Sequence, residues 1–554
     1  MNLFATHEVL NQSPPFEDVN LFTTDRVLIE AVNREGGGSA AQRLAVFGEI
    51  CGSAAAFERG RRANENPPRL RPFDSKGRRL DVVEFHPAYH ECMAISMAEG
   101  LHGSAWEHLA EPGAKPRPGA NVVRSAGCYM AVQMEAGHQC PITMTNASVP
   151  TLLLQPEIAA QWLPKILARE YDGSFSPLGA KRGATIGMGM TEKQGGTDVR
   201  ANTTRAVPAG SGGAGAEYIV TGHKWFMSAP MCDAFLVLAQ APKGLSCLLL
   251  PRFLPDGSVN ALRLQRLKDK LGNRSNASCE VEFQSAHAWL IGEEGRGVPN
   301  IIEMVTGTRL DCAVASAGLM RLILANAIHH CRHRTVFQRK LVDQPLMSQV
   351  LADLALDAEA ATALAFRLSR SFDRASDRHA GAWRRLMTPV TKYWVCKLAP
   401  AFAYEAMECL GGNGYVEEGV AARVYREVPL NAIWEGSGNV MALDLLRVLQ
   451  REPETVEVVI DDLRAAASGD AQLKAHFARV EGLLHEPRLL EQRGRALIEA
   501  LATLAAGTVL RAHAPAFVAD AFIATRLSGS VRQTYGQGLD RADTRAMIER
   551  ALPA

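Results

Sequence analysis

A block of strand-like sequence between two helical stretches is the feature that most constrains how this chain folds. From about residue 186 to residue 291, short apolar runs such as 218–220, 235–238 and 247–250 alternate with Gly, Pro and Asp, which is typical of β-strands joined by turns. After residue 297, apolar residues recur at spacings of three and four, the period of an amphipathic helix. The sequence therefore predicts an α+β fold in which helices flank a central antiparallel β-domain.

The length of the chain predicts several domains. Its 554 residues exceed what one hydrophobic core usually serves, since a domain takes roughly 150 residues. Residues from about 26 to 167 are predicted to be mostly helical, with breaks at prolines. We predict an N-terminal helical domain (1–184), the β-domain (185–298), a C-terminal helical bundle (299–450) and an additional helical domain (451–554).

The composition is that of an ordinary globular protein. Sixty Lys and Arg against 59 Asp and Glu give a formal net charge of +1, so bulk charge does not require nucleic acid or a membrane surface as a partner. The first residues lack the pattern of a signal peptide, and no apolar stretch approaches the ~20 residues of a membrane span. We expect a cytoplasmic protein without a membrane partner. The 11 cysteines form no Cys-x-x-Cys pair and are predicted to be reduced structural thiols.

One glycine-rich motif is rejected on its context. Residues 210–215 formally match the dinucleotide fingerprint Gly-x-Gly-x-x-Gly, which requires a helix immediately afterwards. The strand candidate 217–220 follows instead. A flexible hairpin loop is therefore the favoured interpretation.

Three clustered histidines are likewise not interpreted as a metal site. His329 and His333 lie four residues apart on a predicted helix, which is compatible with metal binding in isolation. Arg332 and Arg334 would oppose a nearby cation, so a helix-surface or anion-contact role is favoured. We predict no metal.

Two further segments have the composition of a cofactor site. Residues 188–198 combine glycines, which permit close backbone approach, with hydroxyls that can bond a ring edge or a phosphate. Residues 223–228 bring aromatic surface and a hydroxyl that could cover a planar cofactor. Taken singly, the first segment is better explained by a glycine-rich turn and the second by an ordinary buried tryptophan.

The order of six segments resembles the acyl-CoA dehydrogenase family over about the first 450 residues. These segments are 188–198, 224–225, 270–275 with 280–283 and 292–297, 334–337, 408–415 and 433–439. The resemblance implies the acyl-CoA dehydrogenase fold, with a helical N-terminal domain, a central β-domain and a helical C-terminal bundle. It also implies a bound FAD and an acyl-CoA substrate.

The resemblance assigns residues to the cofactor. In the family, segments like 334–337 and 408–415 reach the FAD of a neighbouring subunit, which implies a homotetramer built as a dimer of dimers. The residues implied to contact FAD are Met188, Met190, Thr191, Gly196, Thr197, Trp225, Phe226, Met227, Ser228, Arg334, Phe337, Gly411, Gly412, Asn413, Ile433, Trp434, Ser437 and Asn439.

Glu435 occupies the place of the family's catalytic base. Removal of the α-proton of an acyl thioester requires a carboxylate that faces the flavin, and the flavin takes the β-hydride. Some family members place the glutamate before an arginine on an earlier helix, but the matching pair here is Thr308-Arg309. Without the surrounding motifs, Glu435 would be interpreted as a solvated glutamate near a helix start.

Two departures limit the substrate prediction. Met227 stands where the family usually has a threonine that bonds the flavin, so that contact is expected to shift to Ser228 or to the backbone. The chain also continues through 451–554, beyond the usual family end. Both features resemble a bacterial alkylation-response branch of the family. That resemblance implies weak dehydrogenase activity toward short branched esters such as isovaleryl-CoA, and binding of double-stranded DNA.

The charges of the extension leave DNA binding open. Its acidic residues, such as Glu481, Glu486, Glu491 and Glu499, nearly cancel its basic ones, so only a stripe of cations on one face could neutralise phosphates. An amphipathic bundle with a solvated mixed-charge face is at least equally favoured. Arg447 either faces DNA or pairs within its own helix. The basic residues are Lys474, Arg479, Arg488, Arg493, Arg495, Arg511, Arg526, Arg532, Arg541, Arg545 and Arg550. An acyl-CoA dehydrogenase and a DNA-protective flavoprotein with residual activity therefore both remain as functions.

Overall fold

The chain forms two compact units. The computed structural model describes residues 4, 6–111, 113–374, 376–485, 487–528 and 534–553, so Glu486 and Arg532 lie outside the described residues. Unit 1 consists of residues 1–54 and 313–554, and unit 2 of residues 55–312. The helices 451–554 are thus part of a larger unit and do not form a compact unit of their own. The four domain boundaries drawn from the sequence stay a prediction.

Helices account for most of unit 1 and lie on both sequence sides of the β-block in unit 2, as predicted. In chain order they are α1 (Arg26–Arg34), α2 (Ala41–Gly52), α3 (Ala54–Glu65), α4 (Pro87–Glu99), α5 (Ala120–Met134), α6 (Gln139–Leu152), α7 (Pro156–Ile166), α8 (Gly297–His333), α9 (Pro345–Asp373), α10 (Arg378–Glu408), α11 (Gly412–Tyr415), α12 (Val420–Asn431), α13 (Gly438–Arg451), α14 (Pro453–Ala467), α15 (Ala471–Leu484), α16 (Leu490–His513), α17 (Ala516–Arg526) and α18 (Thr544–Ala551).

The strands concentrate in the predicted β-block. They are β1 (Arg69–Phe73), β2 (Arg79–Glu84), β3 (Ile186–Gly189), β4 (Arg205–Pro208), β5 (Glu217–Ser228), β6 (Ala234–Ala241), β7 (Gly244–Pro251), β8 (Leu262–Leu267), β9 (Ser278–Leu290), β10 (Thr335–Val336) and β11 (Arg339–Lys340). The hairpin β1–β2 follows the predicted proline break and was not expected. Residues 210–215 connect the antiparallel strands β4 and β5, which confirms the hairpin-loop interpretation.

The main sheet of unit 2 joins strands β3 to β9. Strand β6 pairs with β3, β4 and β7, and the order continues from β4 through β5 and β9 back to β7. The pairings of β6 with β3 and with β4 are parallel, so the predicted antiparallel domain is antiparallel except at these two contacts. Strands β6 and β7 are almost entirely buried, because this near-closed arrangement covers both of their faces.

Buried charge pairs hold the helices of unit 1 together. Helix α16 packs against α9, α10 and α13, and its residues from Leu497 to Leu510 are almost all buried. Arg526 lies 2.6 Å from Asp353 and 2.9 Å from Asp357, two carboxylates of α9 that are 0% and 1% exposed. Arg550 of α18 pairs in the same way with Glu359 of α9. The last helices are thus bonded to the centre of the bundle.

Two helices have the length and composition of a membrane span. They are α8 and α16, and 83% and 72% of their most apolar windows are buried within the protein. Burial of this extent is what core helices of a bundle show. We therefore assign both helices to the protein core.

Arg526→Met is expected to destabilise unit 1 strongly. Removing one partner of a buried ion pair costs about 3–5 kcal/mol, because the remaining charges stay in the interior. Urea unfolding should show a lower midpoint for this variant. The control is Arg545→Met, which removes an exposed arginine of the last helix and should leave the midpoint unchanged. Equal midpoints for Arg526→Met and wild type would contradict the role assigned to this pair.

Candidate functional site

A buried ion pair organises the segment of unit 2 that was predicted to bind the flavin. Glu192 and Lys224 are 0% and 1% exposed, and their charged groups lie 2.9 Å apart. Glu192 also accepts from the amides of Thr203 and Thr204, and Lys224 donates to the carbonyl of Leu238. Burial raises the pKa of Glu192, but the bonds from Lys224 and Thr203 outweigh it and lower that pKa. The carboxylate is therefore ionised and closes the loop that follows β3.

A β-bulge turns two aromatic side chains outward at the end of β5. Between the paired positions Lys224 and Met227, Trp225 and Phe226 lie opposite a single residue of β9. A side chain at Gly189 would meet both Lys224 and Met227, so these two residues point toward β3. Phe226 is 49% exposed and Trp225 is half-buried. The bulge thus presents an aromatic surface at this edge of the sheet.

Met227, one of the predicted cofactor residues, presents its backbone and not its side chain at this edge of the sheet. Its side chain is 0% exposed and packs inside the sheet. Phe226 and Ser228 are the neighbouring positions that reach the surface, and the Ser228 hydroxyl lies 2.9 Å from that of Ser278. The physical reason is the bulge, which shifts the alternation of inward and outward side chains by one position.

The other predicted residues of this segment lie together around the turn that follows β3. Met188, Met190 and Thr191 are half-buried, and Thr197 is exposed. A side chain at Gly196 would lie 2.3 Å from the Thr191 hydroxyl, so this turn requires glycine there. The Thr191 carbonyl accepts a hydrogen bond from the Trp225 amide. The 188–197 and 225–228 segments therefore form one continuous half-site.

Three cations surround the Trp225 ring, a feature that the motifs did not indicate. The Lys268 ammonium lies 3.1 Å from the ring centroid, and the Arg266 and Lys193 charges lie 5.7 and 5.8 Å from it. Glu280 pairs with both Arg266 and Lys268. One carboxylate thus faces three cations, and the surroundings of the ring carry net positive charge.

In unit 1, Glu435 lies in a left-handed turn between α12 and α13. Its φ is +58°, and Gly436 follows at +112°. Two consecutive residues at positive φ reverse the chain, and a non-glycine residue in this region is uncommon and concentrated at functional sites. Ser437 precedes α13 without using its side chain as a helix cap. Glu435 is half-buried, so its side chain remains accessible.

Hydrogen bonds fix both flanks of this turn. The Trp434 indole donates to Asn431, whose amide donates in turn to the Ser316 hydroxyl. On the other flank, the guanidinium of Arg495 donates to the side-chain oxygen of Asn439 at 2.9 Å. A residue of the C-terminal extension therefore contacts the first turn of the helix that follows Glu435.

N-terminal residues link two other predicted cofactor segments of unit 1. Arg334 donates to the Asn11 carbonyl, and Asn413 donates to Gln12. These contacts were not foreseen, because no motif marks residues 11 and 12. Seven of the predicted cofactor residues of unit 1 are exposed: Phe337 (91%), Gly411, Gly412, Asn413, Ile433 (64%), Ser437 and Asn439.

The clustered histidines hold the same N-terminal segment. His329 lies 2.9 Å from the Pro14 carbonyl, and His330 lies 3.0 Å from the Ser13 hydroxyl. Burial lowers the pKa of both rings. Their observed contacts are thus with the backbone and a hydroxyl of residues 13 and 14.

A buried Glu–His pair supports the 270–275 segment of unit 2. Glu135 accepts from the His138 ring and from the Ser275 hydroxyl, and Ser96 lies 2.8 Å from the other ring nitrogen of His138. The sulfur of Cys92 lies close enough to Glu135 and His138 for the three side chains to resemble a set of metal ligands. The Glu135 carboxylate, however, already accepts hydrogen bonds from backbone amides. We therefore interpret the group as a hydrogen-bonded network.

Several tail arginines are bonded within unit 1 and do not form a free stripe. Arg511 pairs with Asp470 and Asp520, and Arg447 lies 3.6 Å from Asp444 of its own helix. Arg526 and Arg550 hold α9, as described above. Within the described part of the extension, six basic residues named by the sequence are exposed and have no ion pair: Lys474, Arg479, Arg488, Arg495, Arg541 and Arg545.

Three family models match consecutive parts of the chain. Residues 11–173 match the adaptive response protein AidB N-terminal domain. Residues 187–286 match the acyl-CoA dehydrogenase middle domain, and residues 295–450 match the acyl-CoA dehydrogenase C-terminal domain.

Individual relatives extend this similarity to the whole chain. The AidB protein of Escherichia coli (strain K12) is 47% identical over 532 residues, which is 96% of either chain. Acyl-CoA dehydrogenase family member 11 of Caenorhabditis elegans is 29% identical and matches 83% of this chain and 77% of its own. The crystal structure of ACDH-11 from Caenorhabditis elegans in complex with C11-CoA superposes with a TM-score of 0.82 at 26% identity, over 99% of this chain and 93% of that chain.

Acidification is expected to weaken unit 2 through Glu135. Burial raises the pKa of this carboxyl, but the bonds from His138 and the Gly137 amide lower it from 4.5 to about 2. A depressed folded pKa contributes stability that is present above pH 4.5 and is lost as the pH falls toward 2. Glu135→Gln should lower the free energy of unfolding by about 3 kcal/mol near neutral pH and flatten its acid dependence.

Urea titrations at several pH values would measure this effect. Glu293→Gln is the control, because this glutamate is largely exposed and should leave the pH profile unchanged. A Glu135→Gln profile that keeps the full acid dependence of wild type would show that other groups cause it.

Proposed function

Because this chain belongs to the acyl-CoA dehydrogenase family, in the branch that includes AidB, we propose that it is a FAD-dependent dehydrogenase with Glu435 as its base. The observation that carries the proposal is the left-handed turn that presents Glu435 between two hydrogen-bonded flanks. The substrate class is an acyl-CoA ester. The complex of ACDH-11 with C11-CoA supports that class.

The residues present fit a flavin. Phe226 offers an exposed ring, and the cations around Trp225 suit an electron-rich or anionic group. The side-chain oxygen of Asn202 is buried and accepts no hydrogen bond within the described chain, so it can receive an N–H donor. Gly411 and Gly412 have open space where a side chain would stand, which permits close approach to the backbone. We propose that Met188, Met190, Thr191, Gly196, Thr197, Trp225, Phe226, Ser228, Arg334, Phe337, Gly411, Gly412, Asn413, Ile433, Trp434, Ser437 and Asn439 hold the cofactor.

The proposed reaction is the oxidation of an acyl-CoA to its α,β-unsaturated ester. The Glu435 carboxylate takes the α-proton, and the electron pair of that C–H bond forms the new double bond as a hydride leaves the β-carbon. When bound, FAD supplies the acceptor for that hydride. Backbone N–H groups at the turn would bond the thioester oxygen and stabilise the negative charge that develops there.

A homotetramer is part of the same proposal. Phe337 and Tyr415 are 91% and 79% exposed, and apolar side chains so exposed on a globular unit mark contact surfaces. Both residues lie in the segments that reach a neighbouring subunit in the family.

Glu435→Gln should retain FAD and lose bleaching. Loss of a general base typically slows a reaction by 10²–10⁴, and an amide cannot accept the α-proton. The measurement is anaerobic loss of the visible flavin absorbance on addition of acyl-CoA esters, from isovaleryl-CoA to longer straight chains. Glu418→Gln is the control, since Glu418 is exposed and lies upstream of the turn. Normal bleaching by Glu435→Gln would remove the catalytic assignment, and wild-type protein unable to retain FAD would remove the function.

DNA protection in an alkylation response, with residual dehydrogenase activity, is the second candidate function. It is favoured by the exposed cations Lys474 and Arg479, which lie on α15 without ion-pair partners in the described chain. Such cations can neutralise phosphates of a duplex without reading its sequence. Repetition by a symmetric tetramer would extend the surface.

Salt-dependent DNA binding should fall when these two charges are removed. The slope of log K against log salt changes by about 0.9 for each phosphate contact, so Lys474→Gln with Arg479→Gln should flatten it by nearly 2. Fluorescence anisotropy of a labelled duplex measures the slope. Lys76→Gln with Lys115→Gln removes the same charge from exposed sites of unit 2 and is the control. Identical slopes for the two double variants would exclude α15 as the DNA surface.

A further inference from the structure

A buried lysine contacts the turn that carries Glu435. Lys392 of α10 is 1% exposed, and its ammonium lies 2.5 Å from the carbonyl oxygen of Gly436, to which it donates. Gly436 directly follows Glu435 and has a φ of +112°. The contact joins residues that are 44 positions apart. None of the sequence motifs indicated it.

Stability does not explain an ammonium at this position. Moving a charged group into the interior is costly unless it is paired and hydrogen-bonded. Among the described residues, Lys392 forms no ion pair, and its bond to Gly436 is with a neutral carbonyl. A methionine would fill a similar volume without burying a charge. The useful property of Lys392 is therefore the hydrogen bond to the turn.

The bond acts on the peptide that joins Gly436 to Ser437, inside the turn. Trp434 is fixed through Asn431, and Asn439 is fixed by Arg495. Between them, the peptide that follows Gly436 lies outside both helices, so its orientation depends on what its carbonyl contacts. A charged donor bonds a carbonyl more strongly than a neutral donor does. Rotation of this peptide would redirect both the side chain and the backbone of Glu435.

We propose that Lys392 is a positioning residue that holds the Glu435 turn in its left-handed conformation. The inference rests on the proposed function of Glu435 as the base. Lys392 itself touches neither substrate nor cofactor in this role. It orients the carboxylate through the backbone.

The test compares two cations of the same helix. Lys392→Met removes the buried donor, and Arg378→Met removes an exposed charge at the start of α10 that has no ion pair in the described chain. Hydrogen–deuterium exchange of peptides covering residues 432–440 reports the turn directly. Anaerobic bleaching by acyl-CoA reports the rate at saturation separately from the half-saturating concentration.

Lys392→Met should exchange faster in 432–440 and bleach roughly 10–100-fold more slowly at saturation, because small misplacement of a catalytic group has effects of that size. Its FAD content and half-saturating concentration should stay near wild type. Arg378→Met should match wild type, and Lys392→Arg, which keeps a charged donor, should recover part of the rate.

Wild-type exchange in Lys392→Met would overturn the inference. So would unfolding of Lys392→Met and Lys392→Arg alike, since the residue would then act on the bundle as a whole. If wild-type protein is bleached by no acyl-CoA, the proposed function fails, and exchange at 432–440 still decides whether Lys392 holds the turn.

Discussion

The ion pair between Lys224 and Glu192 sets the geometry of segments 188–197 and 225–228, which are proposed to bind the flavin. Both groups are ionised and buried. Moving either one would leave the other as an unpaired charge in the interior. The pair therefore ties the loop after β3 to the strand that precedes the bulge. The outward direction of Trp225 and Phe226 follows from that attachment, because Lys224 must point inward to reach Glu192. An aromatic surface and a glycine-rich turn meet at one edge of the sheet as a result.

Much of the fold could be predicted from periodicity, and the misses have physical causes. Alternating apolar runs located the β-block correctly, since the side-chain period of a strand is a local property. The hairpin β1–β2 was missed because its strands are short and largely exposed, which leaves little apolar pattern. The parallel contacts of β6 join segments far apart in sequence, and no local signal specifies them.

The candidate site was predictable as a set of segments but not as a set of side-chain directions. The inward direction of the Met227 side chain could not be predicted because the bulge depends on the partner strand β9, which the sequence of β5 does not describe. Lys392 and Asn11 were missed because each makes its contact through a backbone carbonyl, and carbonyls carry no residue type for a motif to match. The tail arginines looked alike in sequence, but the structure divides them into buried partners of α9 and exposed cations on α15.

The pair between Arg550 and Glu30 has a consequence for how the protein is made. These residues are 520 positions apart and their charged groups are in contact. During synthesis, α1 leaves the ribosome long before α9, against which it packs, and longer still before Arg550. Residues 55–312 can meanwhile complete their own contacts, since all of them are consecutive. The ion pair of the first helix is thus among the last contacts of unit 1 to form, and a chain that ends before residue 550 would leave Glu30 without this partner.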